Sequence, residues 1–179
     1  GLFKGAATRG RSESLDFRAG FTGSYADTLN DDQLANDPNA WVMHPGDTWH
    51  GFDTLPDDYC MLDPIKVSVL TPGVADKGGL DKRGIPASLL TSYLHYRGVE
   101  VEKTTDFTIL FLFSIGITKG KWGTLLNALL DFKRDYDNNV SLSEVLPHLT
   151  TNYPAVYGGL GLHDLADQMF AQLRDSRQT

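Results

Sequence analysis

The stretch TWHGFDTLPDDYCMLDPIKVSVLTPG, Thr48 to Gly73, gathers the side chains best suited to chemistry: Trp49, His50, Asp57, Asp58, Cys60, Asp63 and Lys66. Paired carboxylates can divide acid and base roles, and a cysteine near a histidine can act as a nucleophile. Each residue also has a local structural account. Asp57 and Asp58 follow Pro56 in a turn-like run, where aspartate bonds its own backbone. Pro64 pushes Asp63 into an extended conformation that starts a strand, with Lys66 placed to form an edge salt bridge. Cys60 suits a small buried hydrophobe, and Trp49 and Phe52 suit core anchors. Asp63 and Lys66 are kept as candidates that face a cleft.

A second candidate is SIGITKGKWGT, between an apolar run and a helical pattern, where a phosphate-binding loop would sit. That loop needs G-x-x-x-x-G-K followed by Ser or Thr. Here Gly116 and Gly120 are one residue too close, and Trp122 stands where the hydroxyl should be, which excludes nucleotide hydrolysis. Lys119 and Lys121 still stand out, because cations at a helix N-terminus oppose its dipole. They are either solvated surface lysines or the contact for an anion or a neighbouring subunit's carboxylate. The five histidines, His44, His50, His95, His148 and His163, contain no i, i+4 pair. With one cysteine there is no zinc-binding pattern. Asn139-Val140-Ser141 has the form of a glycosylation acceptor, read here as chance.

The 179 residues suffice for one domain with a substantial core. A formal charge of −7 argues against nucleic acid as a partner. The single cysteine permits no internal disulfide, which fits a cytoplasmic location. The N-terminus lacks the apolar run of a signal peptide, and the apolar segment Phe107–Ile117 is too short to span a membrane.

Residues 1–40, rich in Gly, Ser, Asp and Asn, are expected to form an irregular lead-in, with the domain proper running from about Trp41 to Arg174. KVSVLT (Lys66–Thr71) alternates like a strand and is closed by Pro72-Gly73. Pro86 opens a helix with Ile85, Leu89, Leu90 and Leu94 as its buried stripe, stopped near Gly98. VEVEKT (Val99–Thr104) alternates as a second strand. FTILFLFS (Phe107–Ser114), apolar at nearly every position, is expected to be a central strand covered on both faces. A long helix over about Thr118–Asn138 places Trp122, Leu125, Leu126, Leu129 and Tyr136 on one face. Ser141 and Glu144 form a capping box for a short helix, and Leu162, Leu165, Met169 and Leu173 mark a last one. The order β-α-β-β-α-α-α implies a mixed sheet with helices packed on it, an α/β or α+β module.

The blocks WVMHPGDTWHGF, MLDPIKVSVLTPG, GIPASLL, TTDFTILFLFSIGITKGKWGTLLNALLDFKRDYD and GLHDLADQMFAQL resemble the bacterial inducible decarboxylases of ornithine, lysine and arginine. Within that group they look most like the acid-induced biodegradative arginine enzymes. The resemblance runs from Trp41 to about Leu173, while residues 1–40 share only LFK and LDF. It implies a pyridoxal 5'-phosphate enzyme of fold type I, the aspartate aminotransferase fold, that converts arginine to agmatine and carbon dioxide in acid resistance. In such enzymes a lysine in a Ser-x-His-Lys setting holds the cofactor, and no His-Lys dipeptide occurs here.

The resemblance therefore assigns residues 41–179 to the small domain, a fragment without the cofactor domain or the C-terminal domain. It implies no catalytic, cofactor-binding or metal residue in this chain, and no cofactor or decarboxylation by the chain alone. Its expected partners are the amino-acid substrate, the remaining domains, and further copies in a dimer or decamer. Lysine and ornithine are the alternative substrates. A reading of another class is a non-catalytic assembly module that engages partners through Lys119 and Lys121.

Overall fold

A computed structural model describes residues 3–5, 17–20, 31–38, 42, 45–46, 52–54, 56, 61, 63, 65–75 and 79–177. In chain order the elements are β1 (Phe3–Gly5), β2 (Phe17–Gly20), α1 (Asp31–Asn36), β3 (Lys66–Leu70), α2 (Ala87–Tyr96), β4 (Lys103–Thr104) and β5 (Thr108–Leu112). Helices α3 (Lys119–Asp137), α4 (Leu142–Val145), α5 (Pro147–Asn152), α6 (Pro154–Tyr157) and α7 (Leu162–Ser176) follow. The strands form one mixed sheet in the order β1-β2-β3-β5-β4. Only the β1–β2 pair is parallel. The expected irregular lead-in is corrected here: two strands of that sheet and a short helix come from the first 40 residues. Strands of three and four residues are too short to leave a period-2 signal.

Register explains how the sheet meets its helices. β3 and β5 pair from Lys66↔Leu112 to Leu70↔Thr108, which puts Val67, Val69, Ile109 and Phe111 on one face. Val69, Ile109 and Phe111 are buried there, in one cluster with Leu89, Leu90, Tyr93 and Leu94 of α2 and Leu129 and Phe132 of α3. Each such side chain stabilises the fold by about 1.5–3 kcal/mol relative to exposure. The opposite face carries Lys66, Ser68, Leu110 and Leu112, and Leu112 is 40% exposed. β5 is thus covered on one face, where its apolar run had suggested both. The core face takes its odd-numbered residues, and Leu110 and Leu112 point the other way.

Helix boundaries follow from local chemistry. Thr118 caps α3 by accepting from the Lys121 N–H at 3.4 Å. Ser141 Oγ accepts from the Ser143 N–H at 3.3 Å, so the cap forms one residue earlier than a Ser141–Glu144 box would place it. Pro147 and Pro154 open two single-turn helices, using the freedom of a first-turn position from needing a donor. VEVEKT contributes only Lys103–Thr104 to the sheet, although Glu102 N still donates to Leu110 O.

The start of α7 is capped from another segment. Gly161 has no side chain with which to cap, and Asn139 supplies one across the gap. Asn139 Oδ1 accepts from the N–H groups of His163 at 3.0 Å and Asp164 at 3.2 Å. Asn139 Nδ2 donates to Asp164 Oδ2 at 2.9 Å, and that same oxygen accepts from Gly161 N. These bonds to Asn139 and Gly161 hold the Asp164 carboxyl below its usual range. The Asn139 amide nitrogen, the atom a glycan would occupy, is committed to this cap.

Candidate functional site

The turn that opens β3 is built by Asp63. Its Oδ1 accepts from Ile65 N at 3.2 Å and its carbonyl from Lys66 N at 3.1 Å. Asp63 Oδ2 lies 3.4 Å from Lys66 Nζ, with both side chains about half exposed. This is a strand-opening turn with an edge ion pair, whose net contribution is about 0–1 kcal/mol. Trp49, His50, Asp57, Asp58 and Cys60 lie outside the described residues.

Lys119 and Lys121 occupy the first turn of α3, at the end of the sheet where β3 begins and β5 ends. Backbone pairing makes the link: Phe113 N donates to Ile65 O at 2.7 Å, and Lys66 faces Leu112 across the sheet. Lys121 Nζ folds back to Gly116 O at 3.4 Å, which offsets part of its conflict with the helix dipole. The two candidate pairs, Asp63 with Lys66 and Lys119 with Lys121, therefore share one end of the fold. All four are exposed.

Two polar groupings escaped the sequence reading. Asp135, buried in the apolar stripe of α3, accepts from Tyr93 OH at 2.5 Å and Arg97 Nη2 at 3.2 Å, and its other oxygen takes Arg134 Nη2 at 3.2 Å. The Arg97 guanidinium lies 3.4 Å from the Tyr93 ring centroid. Burial, and then the bond to Asp135, push the Tyr93 phenol far above its ordinary range. The phenol therefore stays protonated, and the grouping is a brace between α2 and α3. Its sequence signal was an aspartate at a core position of a helical stripe.

The second grouping joins α7 to the loop before α2. Asp167 Oδ2 lies 3.4 Å from Arg83 Nε and 3.6 Å from His163 Nε2, and the His163 ring packs 4.4 Å from that of Tyr136. Burial first, then the Asp167 charge, push the Tyr136 phenol up to about 12. A cleft of about 420 Å3 is walled by Val99, Val101, Tyr96 and His148. Its His95 is paired to Glu100 at 2.9 Å.

Among the described residues no group of three or more His, Cys, Asp or Glu could hold a metal ion. A Schiff-base lysine must be desolvated to lose its proton near neutrality. Lys66, Lys82, Lys103, Lys119 and Lys121 are exposed, and Lys133 is paired with Asp137. Asp135, the one buried carboxylate among the described residues, is already paired with arginine. The described residues thus do not fit an imine-forming cofactor. No helix among them is long and apolar enough to cross a membrane.

Comparison with known proteins decides the family. The model described as Orn/Lys/Arg decarboxylase, major domain, matches residues 7–121. The chain belongs to the Orn/Lys/Arg decarboxylase family. It is 53% identical over 138 residues to the biodegradative arginine decarboxylase of Escherichia coli K12, covering 77% of this chain and 18% of that protein. It is 49% identical over 136 residues to a lysine decarboxylase of Pseudomonas aeruginosa, covering 76% and 18%. The structure of the E. coli constitutive lysine decarboxylase superposes with a TM-score of 0.75 at 37% identity, covering 90% of this chain and 21% of that one. This chain therefore spans about a fifth of the length of these family members. The family match also begins well before Trp41, across the boundary that composition had suggested.

Proposed function

We propose that this chain is part of a pyridoxal-phosphate-dependent decarboxylase of a basic amino acid, with arginine the substrate and agmatine and carbon dioxide the products. The observation that carries the choice of arginine is the 53% identity to the arginine enzyme over 138 residues. The cofactor supplies the electron sink for the carbanion and is held by a lysine elsewhere in the polypeptide, in a fold of type I. We read residues 41–179 as the small domain of that fold, which braces that site without entering the chemistry. Dimers or larger rings, cytoplasmic location and a role in acid resistance belong to the same reading.

The assay compares arginine, lysine and ornithine on a full-length family polypeptide that carries this segment. Arginine is expected to turn over fastest, and faster turnover of lysine or ornithine would overturn the substrate assignment. The 179-residue chain by itself is expected to show no lysine-bound pyridoxal absorbance. Its appearance would place the cofactor site within this chain.

A further inference from the structure

We propose that the cleft between the end of α2 and α5 binds a small organic cation that has an apolar stem and no carboxylate, the chemical class of the amine that decarboxylation releases. The identity of that amine rests on the functional reading above. At about 420 Å3 the cleft has the size of a small-molecule site. Val99 and Val101 give it apolar walls, and Tyr96 and His148 give it aromatic ones, with ring centroids 6.1 Å apart. Glu100 supplies a carboxylate, and none of the residues that line the cleft is a lysine or an arginine.

The local sequence builds this arrangement. Gly98 ends α2 with φ 75°, a left-handed turn that glycine takes without penalty. Its N–H donates to His95 O at 2.9 Å and that of Val99 to Leu94 O at 3.0 Å, so the chain folds back against the last turn of the helix. Val99 and Val101 are thereby brought beside Tyr96. Glu100 Oε1 lies 2.9 Å from His95 Nδ1. A neutral imidazole gives that oxygen a hydrogen bond and brings no charge, so the carboxylate keeps its own.

Three features choose a cation. The last carbonyls of α2 carry the negative end of the helix dipole. Glu100 adds a full negative charge beside them. The ring of Tyr96, 51% exposed, offers a face that attracts cations. Arg97, the nearest cation in sequence, is turned away from this need: its guanidinium lies 3.2 Å from Asp135 Oδ2 and 3.4 Å from the Tyr93 ring centroid. The same field repels a carboxylate. The site therefore separates a basic amino acid from the amine left when its carboxylate departs as carbon dioxide, while the valines take the methylene stem.

Titration of the isotope-labelled 179-residue chain with agmatine, followed by NMR, tests the site. Arginine is the matched probe, because the two differ only by the carboxylate. Agmatine is expected to shift the backbone signals of Tyr96, Val99 and Val101 with a Kd on the order of 1 mM, and arginine to bind at least about fivefold more weakly. Glu100→Gln is expected to weaken agmatine about threefold or more. Glu100 is exposed, so this substitution leaves the core intact. Arginine binding as tightly as agmatine, shifts confined to other parts of the chain, an unaltered Kd in Glu100→Gln, or no shift at about ten times the expected Kd each overturns the proposal. Turnover by the full-length polypeptide is a separate readout. Preferred turnover of lysine overturns the arginine assignment and leaves the cation site standing, whereas preferred turnover of arginine without an agmatine shift overturns the site alone.

Discussion

Asn139→Ala is expected to destabilise the chain by about 2 kcal/mol, in two roughly equal parts. The first is the cap: with no amide at residue 139, the His163 and Asp164 N–H groups lose their acceptor and Asp164 loses a donor. Cap removal of this kind costs about 1 kcal/mol. The second is backbone. Asn139 has φ 47°, a left-handed conformation that asparagine tolerates and that costs alanine about 1 kcal/mol. For a chain of this size the sum corresponds to a Tm lower by about 4–8 °C. Asn139→Gly keeps only the first part and should lose about half as much. Gly161 supplies the internal control. Its backbone is extended, with φ −92°, so glycine is needed there for space: an added Cβ would fall 2.1 Å from Asn139 Oδ1 and 2.5 Å from Asn139 O. Gly161→Ala should therefore cost about 2–3 kcal/mol in the wild type, and at least about 1 kcal/mol less in Asn139→Gly, where the nearer obstacle is gone. Thermal and urea unfolding followed by circular dichroism measure the wild type and the four variants. Strict additivity of the two substitutions, or a cost below about 0.5 kcal/mol for Asn139→Ala, would refute this account of the α7 cap.

Two further outcomes are expected from the buried polar groups. Asp135→Asn leaves Arg97 facing an amide where it had a carboxylate, and should cost about 2–3 kcal/mol in urea unfolding, below the usual range for a broken buried pair because Arg134 is largely exposed. A change within 0.5 kcal/mol of zero, roughly the scatter of a neutral surface substitution, would mean the brace is dispensable. Tyr136 ties stability to alkaline pH. Its phenol ionises at about 12 in the fold against 10.0 unfolded, so its contribution is complete below about 10 and is lost as pH rises towards 12. The urea midpoint should fall across that window, and less steeply in Tyr136→Phe. Identical pH dependence in both proteins would exclude Tyr136 as the cause.

The parts of this fold that were legible in the sequence are those in which one periodicity governs many residues. Helix α2 and the second half of α3 follow their apolar spacing, and the alternation of KVSVL placed β3 correctly. Short elements were not legible. β1 and β2 hold through pairing to each other and to β3, and three or four residues carry too little pattern to betray that, whereas the alternation of VEVEKT did mark β4 but overstated its length. The single-turn helices at Pro147 and Pro154 did carry a signal in the prolines themselves. Spacing also misplaced Trp122, because a helical stripe says which side of a helix is apolar and not where along its length the core begins. The sequence brought forward Asp63, Lys66, Lys119 and Lys121 by residue type alone. That they share one end of the sheet follows from the β3–β5 register, which joins residues far apart in the chain.

The distribution of charge bears on what such a segment can contribute to a decarboxylase. Chemistry on an amino acid requires a polar group that is desolvated and uncommitted, so that it can exchange a proton or form a bond with substrate. In the described part of this chain the two conditions part company. Asp135 and Tyr93 are desolvated, but the carboxylate is held by two guanidiniums and the phenol by the carboxylate. Arg97 Nη1 and Asp167 Oδ1 are buried without a hydrogen-bond partner, but each belongs to a side chain already held in an ion pair. Lys119 has no carboxylate partner among the described residues, but it is exposed and not desolvated. That separation supports the division proposed above, with the reactive atoms in the remainder of the polypeptide.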